Sequence, residues 1–316
     1  MTPIVVRKPD VDPAAIDVLI RKVFGTTAPV AWQRTPDGGS TQVYRLTRGV
    51  EVFYLRVAEQ ADENLDTEAE LHQRLRDLDV KVADIVHVEP FNAAIGRSTM
   101  ITTEIPGAPL NPTSPPELAR AVIEEAAADI AVINQQPVNG YGWIRRHGAG
   151  WPLRAEHRAY PPFLVSDLPH PWPGPLTSLF SAEAIDTIAE LIDQQRLQPS
   201  LDAHLAHGDF DLTAIFCANG RYTGLIDFGE IQGTEPLFDL GHFHLHDQES
   251  HPTALLPALL HGYQQVLPLP ADHAESIRRS AILPGLRQLC RWLVLPGRRR
   301  LITDRVHRIN ELIAQR

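Results

Sequence analysis

The 316-residue chain has almost no lysine: Lys8, Lys22 and Lys81 are the whole set, against a combined lysine and arginine count of 29. Any site that needs a fixed cation must therefore draw on arginine, a planar fork of donors rather than a compact point charge. Cysteine is scarce too. Cys217 and Cys290 cannot build a disulfide framework, and neither belongs to a C-x-x-C pair, which fits a reducing compartment. No apolar run reaches the length of a membrane span. The opening MTPIVVRKPDVDP lacks the basic-then-apolar pattern of a secretory signal, so the expected location is the cytoplasm. Net positive charge is also missing. The formal charge of −10 argues against nucleic acid as a partner and would suit a cationic small molecule. What remains, 43% hydrophobic and 22% charged residues without repeats or low-complexity tracts, is globular and long enough for two lobes around a cleft.

Local patterns order the first lobe as helix, strands, helix, strands. Asp12-Pro13 reads as an N-cap with proline in the first turn, followed by Ile16, Leu19, Ile20 and Val23 at helical spacing and a stop at Gly25. Val43–Leu46 and Val52–Val57 read as paired strands, and period two puts Arg56 on the face opposite Leu55. Leu71, Leu75 and Leu78 mark a helix over about 65–78, with Glu68 on its buried side, where a carboxylate needs a cationic partner. Val82–Glu89 and Thr99–Ile105 read as further strands, ended by Pro106-Gly107. After Pro115-Pro116 the pattern turns helical, over 117–134, 182–196, 254–266, 278–293 and 301–314. The aromatic and proline-rich stretch 148–176 predicts an ordered but irregular segment, and strand signals in this half are confined to the flanks of one motif.

That motif is LAHGDFDLTAIFCANGRYTGLIDFGE, residues 205–230. Ile215–Cys217 and Arg221–Ile226 predict a hairpin through Ala218-Asn219-Gly220, whose two outer ends come together. Asp209 precedes the hairpin and Asp227 follows it, so both carboxylates can face one cleft. Either aspartate alone reads equally well as an ordinary turn residue. Together they supply the two carboxylates that phosphoryl transfer needs, one at the acceptor hydroxyl and one at Mg²⁺. Arg56 with Glu68 is the candidate cation for the phosphates. Asp37-Gly38-Gly39-Ser40 is the candidate loop whose N–H groups lie over them.

GGSTQVYRL, YLRV, TEAELHQRL, TTEIPG, HGDFDLTAIF, GLIDFGE and EPLFDLG then occur in an order and spacing that resemble the aminoglycoside phosphotransferase family. The resemblance covers roughly 34–110 and 200–245 and fades over 111–199 and beyond about 250. It implies an α+β fold of the bilobal protein-kinase type. A small sheet-and-helix lobe over 1–105 would bind nucleotide, and a larger, mainly helical lobe over 106–316 would carry catalysis and acceptor binding. The implied cofactors are ATP or GTP with Mg²⁺. The implied activity moves the γ-phosphate to a hydroxyl of a small molecule, with aminoglycosides, other antibiotics, sugars and amino alcohols all open.

Carried onto this sequence, the resemblance implies Asp209 as base, Asp227 as Mg²⁺ ligand and Arg56 in place of the phosphate-binding lysine. It implies Thr103 and Ile105 at the adenine edge, Thr102 behind it and Val43 over the ring. Asp239 and His207 would brace the catalytic loop. One departure stands out, because Ala214 occupies the place of the asparagine that holds a second Mg²⁺ in kinases. Three readings stay open: a single metal, substitution by Asp211 or Thr213, or a nucleotide-binding module without turnover. His242, His244 and His246 could bind a metal if they alternated on a strand. The helix-start signal before them favours a helix, which spreads that spacing. His242, His246 and Asp247, with Asp211, Glu230 and Glu249, are then candidates for the rim of the acceptor pocket.

Overall fold

The computed structural model describes residues 9–35, 42–146, 150–197 and 202–315. The candidate phosphate loop with Gly38, Gly39 and Ser40 lies outside the described residues. Helix α1 (Pro13–Phe24) starts where Asp12 accepts a hydrogen bond from the Ala14 N–H at 3.0 Å, and it stops at Gly25. Its buried Ile16, Leu19 and Ile20 cover an antiparallel sheet made of β1 (Ala31–Arg34), β2 (Gln42–Arg48), β3 (Glu51–Val57), β4 (Ile85–Asn92) and β5 (Arg97–Thr103), ordered β1-β2-β3-β5-β4. Alternation sorts its side chains. Tyr44, Leu46, Leu55 and Val57 enter the core under α1, while Val43 and Arg56, paired across β2 and β3, take the other face. On that second face Leu65 and Ala69, at the start of α2 (Asp66–Asp77), pack with Ala58 and Met100.

Two strand boundaries differ from expectation. β4 begins at Ile85, because Val80 and Val82 are buried in the core of the helical lobe instead. β5 ends at Thr103, so Ile105 lies in the link to β6 (Ala108–Pro109).

The chain continues through α3 (Pro116–Asn134), β7 (Val138–Asn139), β8 (Tyr141–Ile144), β9 (Leu153–His157), α4 (Tyr160–Leu164), α5 (Ala182–Arg196) and β10 (His204–Ala206). It ends with β11 (Ile215–Ala218), β12 (Arg221–Leu225), β13 (Gln232–Thr234), α6 (Phe238–His246), α7 (Leu256–Gln264), α8 (His273–Leu293) and α9 (Arg299–Ala314). The predicted helices are all present. The strands β7, β8 and β9 are not among those the sequence pattern predicts. β7 and β8 are short and carry no alternating signature, β9 alternates over only five residues, and Gly140, between β7 and β8, and Gly142, within β8, adopt φ of 99° and 92°. They pair with the motif's flanks in a sheet ordered β10-β13-β8-β9-β7, so the aromatic segment forms a wall beside the acidic turns.

The lobes are joined by hydrogen bonds as well as by chain. The Leu225 N–H donates to the Lys81 carbonyl at 2.9 Å. The Lys81 N–H and the Tyr222 hydroxyl both donate to Asp129 Oδ2, at 2.9 and 2.8 Å. In the large lobe α6 lies directly on α8: a Cβ on Gly241 would sit 2.4 Å from Ser280 backbone, so only glycine allows the approach.

Candidate active site

β10 delivers His207-Gly208-Asp209 into the cleft. The turn is held from below by Asp239, in the first turn of α6, which is fully buried. Its carboxylate accepts from the His207 N–H at 2.9 Å, the Gly208 N–H at 3.0 Å and Asn134 Nδ2 at 2.7 Å. Burial raises the Asp239 pKa, and His207 and these donors limit the rise. Gly208 has φ of 88°, and a Cβ there would lie 1.8 Å from the Glu230 carbonyl oxygen, so the turn closes only with glycine.

The hairpin of β11 and β12 turns through Asn219 and Gly220, both at positive φ as a tight two-residue turn requires. It ends at Asp227, which is exposed and left-handed, at φ 64° and ψ 60°. His207 ties the two aspartate turns together, since its Nε2 donates to the Ile226 carbonyl at 2.9 Å. Ala214 adds a second tie. Its carbonyl accepts from the Ile226 N–H at 3.0 Å and its own N–H donates to the Asp211 carbonyl at 3.2 Å. Asp211 commits Oδ1 to the Thr213 N–H and hydroxyl, at 2.7 and 2.6 Å. Asp209 itself is half-exposed, and partial burial with the charges of Asp211 and Asp227 raises its pKa.

Across the cleft, Glu68 is wholly buried and pairs with Arg56. A second guanidinium meets it, from Arg146 at 3.1 Å, and Arg146 also donates to the Gly229 carbonyl at 2.7 Å. Arg146 thus links the helix glutamate to the turn after Asp227. Nothing in the stretch WIRRHG distinguishes it by pattern, and the strand β8 that places it is one the sequence hides. Burial alone would raise the Glu68 pKa, but Arg56 and Arg146 outweigh it and hold it at about 2. Phe228 packs edge-on against the His72 ring and tilted against the His207 ring, with centroids 4.9 and 4.7 Å apart.

A depressed carboxyl pKa stabilises the fold above the ordinary value of 4.5, and that contribution drains as pH falls towards about 2. Wild-type stability, followed by urea unfolding, is therefore expected to drop by a few kcal/mol between pH 5 and pH 2 through this group alone. Glu68→Gln is expected to be less stable at pH 7 and to lose that part of the pH dependence. A variant as stable as wild type at pH 7 would mean that the network carries no net charge stabilisation.

Thr102 is buried on β5 opposite Tyr54, on the sheet face that carries the Val43–Arg56–Met100 row. The Thr103 N–H donates to the Asp84 carbonyl at 3.0 Å, which leaves its carbonyl as the group it can offer. The Ile105 N–H has no partner among the described residues.

A family model described as the phosphotransferase enzyme family matches residues 31–275. The chain belongs to that family. It is a small-molecule phosphotransferase with the mixed α/β, kinase-like fold of its solved relatives. The aminoglycoside phosphotransferase APH(4)-Ia superposes with a TM-score of 0.66 at 18% identity, covering 95% of this chain and 98% of that one. A thermostable variant of that enzyme, in ternary complex with AMP-PNP and hygromycin B, gives 0.68 at 17% identity, covering 95% and 98%. A putative fructosamine-3-kinase from Thermobifida fusca YX-ER1 gives 0.57 at 14% identity, covering 96% and 100%. At these identities the likeness is one of fold. Among curated proteins none matches the chain by sequence.

Beside Asp209, between β8, β9 and β13 on one hand and α6 and α8 on the other, the phosphotransferase has a cavity of about 330 Å³. Asp209, Glu230 and His242 line it. His242 Nδ1 donates to the Phe210 carbonyl at 3.2 Å, so its Nε2 carries the lone pair when the ring is neutral. Burial, with His246 next in line, holds the His242 pKa well below the ordinary range. That bare nitrogen lies 3.6 Å from Asp209 Oδ1. His246 stacks on His242 with ring centroids 4.7 Å apart, because i and i+4 share a helix face. His246 bonds Glu249 at 2.9 Å and does not line the cavity. Asp247 does not line it either. Its two oxygens accept from the N–H groups of Leu255 and Leu256, at 3.0 and 3.2 Å, and so secure the start of α7. Among the described residues no cluster of three or more histidine, cysteine or acidic side chains is arranged to hold a metal, so the histidines of α6 make no metal centre.

Proposed function

We propose that this phosphotransferase moves the γ-phosphate of ATP, or of GTP, to a hydroxyl of a small molecule seated beside Asp209. The observation that carries the reading is the joint placement of the two acidic turns. Asp209 opens on a cavity, and Asp227 is fastened to the same loop through His207 and Ala214. Asp209 orients the acceptor hydroxyl and takes its proton. The bare Nε2 of His242 then faces the protonated carboxyl and can accept its hydrogen bond. Arg56, held in line by Glu68, reaches the phosphates. The Thr103 carbonyl and the Ile105 N–H meet the adenine edge, with Thr102 behind it and Val43 against the ring.

The donor set suits Mg²⁺. That ion is content with one or two carboxylates, phosphate oxygens and water, and among the described residues Asp227 makes no side-chain hydrogen bond while Asp211 commits only Oδ1. When bound it neutralises phosphate charge. Asp227, and Asp211 on the loop after Asp209, would hold it.

A nucleotide-binding module without turnover is the second reading, and Ala214 is its only support. Ala214 is 3% exposed and ties two loops through its backbone, which assigns the residue a structural role whatever its side chain. Ala214→Asn is accordingly expected to change the rate of ADP release, with Mg²⁺ and a panel of hydroxylated acceptors, by less than about threefold. A rise of tenfold or more would mean that the natural site lacks a ligand it needs.

A further inference from the structure

The cavity beside Asp209 is lined by charges that the transfer step does not use. Glu156, Asp167 and Glu230 accompany Asp209 in its wall, and so do Arg287 and Arg291. Among the described residues no carboxylate–guanidinium contact within 4.0 Å joins any two of them. Arg287 is the most informative member. It is 7% exposed, yet among the described residues its Nη2 donates only to the carbonyls of Phe163 and Leu164, both at 3.1 Å, and its Nε is buried without a partner. Its guanidinium lies 4.3 Å from the centre of the Phe163 ring, so the plane is fixed. Next to it, Gln288 Oε1 is buried and also unpartnered. The charges of Glu235 and Asp167 act on this buried guanidinium, yet neither carboxylate lies within 4.0 Å of it, so its compensation is incomplete and a carboxylate in the cavity would add to it.

We infer that the acceptor is amphoteric: a hydroxylated small molecule whose carboxylate is met by Arg287 and Arg291 and whose ammonium is met by Glu156 and Asp167. The inference rests on the phosphotransfer reading for the role of Asp209, but the charge pattern stands apart from it. A polycation would set ammonium groups against two guanidiniums, and a simple anion would face four carboxylates. The fork of arginine matches a carboxylate geometrically. The volume of about 330 Å³ lies at the small end of the usual range of roughly 300–1,000 Å³, which suits one sugar ring or an amino acid of that size.

The test uses matched acceptors that differ only in the carboxylate: N-fructosylglycine and its amide, homoserine and its amide, with kanamycin as the polycation. Ligand-induced thermal shift is read on the whole chain with AMP-PNP and Mg²⁺ present, and ADP release is read with ATP. In at least one pair the carboxylate form is expected to bind at least about tenfold more tightly than its amide, the worth of a charged hydrogen bond. Kanamycin is expected to bind more weakly than that form. Arg291→Gln, at an exposed position, is expected to collapse the ratio by weakening the acid and leaving the amide unchanged. Arg287→Lys keeps the charge without the fork and is expected to lose part of the preference. Equal binding of acid and amide in both pairs, stronger binding of kanamycin, an intact ratio in Arg291→Gln, or no binding by either acid would each overturn the inference. Carboxylate-selective binding without ADP release would instead remove the phosphotransfer reading and leave the subsite standing.

Discussion

Asp209→Asn is expected to lower kcat by about a thousandfold, within the range seen when a general base is removed, while nucleotide affinity stays unchanged. The substitution keeps the shape of the side chain and its ability to bond a hydroxyl, and it removes the lone charge that accepts the proton. The loop should not collapse, because its backbone is held by Asp239 and by the His207 bond to Ile226, neither of which involves the Asp209 side chain. The new amide can donate to the bare Nε2 of His242, now 3.6 Å from Oδ1, so the local contact survives. Thermal unfolding with and without nucleotide separates the two effects. A tenfold loss or less in kcat, with folding intact, would assign the proton transfer to another group.

Asp239→Ala has the largest expected effect on stability. It leaves the buried N–H groups of His207 and Gly208 and the Asn134 amide without their acceptor. Each unmet buried donor costs about 1–3 kcal/mol, so a loss of roughly 3–5 kcal/mol is expected in urea unfolding, with some relief from water entering the gap. Activity should fall with it even under conditions where the variant is folded, because the same three bonds aim Asp209. Asp239→Asn keeps one acceptor oxygen and is expected to fall between. A loss below about 1 kcal/mol for the alanine variant would show that the loop is held by other contacts.

The parts readable from sequence were those with a local signature. The Asp12 cap, the β2–β3 alternation that turns Arg56 to the cleft, the buried-side glutamate of α2 and the Asn219-Gly220 turn each follow from a few adjacent residues. The pairing of Arg56 with Glu68 was inferable because a buried carboxylate needs a cation. What stayed hidden depends on distant chain. Arg146 reaches Glu68 only because β8 joins β13, and these two short strands, each with a glycine, carry no alternation. Arg287 sits in mid-helix with no feature that separates it from other arginines, and only the packing of α8 against Phe163 brings it to the cavity. His246 and Asp247 show the converse. Their chemistry suggested a ligand site, yet helix geometry commits one to Glu249 and the other to the start of α7.

The central claim is that one hairpin presents the base and the metal carboxylate of a single transfer site. The most direct measurement is transfer of label from γ-³²P-ATP to a hydroxylated acceptor, with wild type, Asp209→Asn and Asp227→Asn side by side. The account predicts Mg²⁺-dependent labelled product from wild type alone, with both variants folded and at background. Labelled product from either variant at a rate near that of wild type would contradict it.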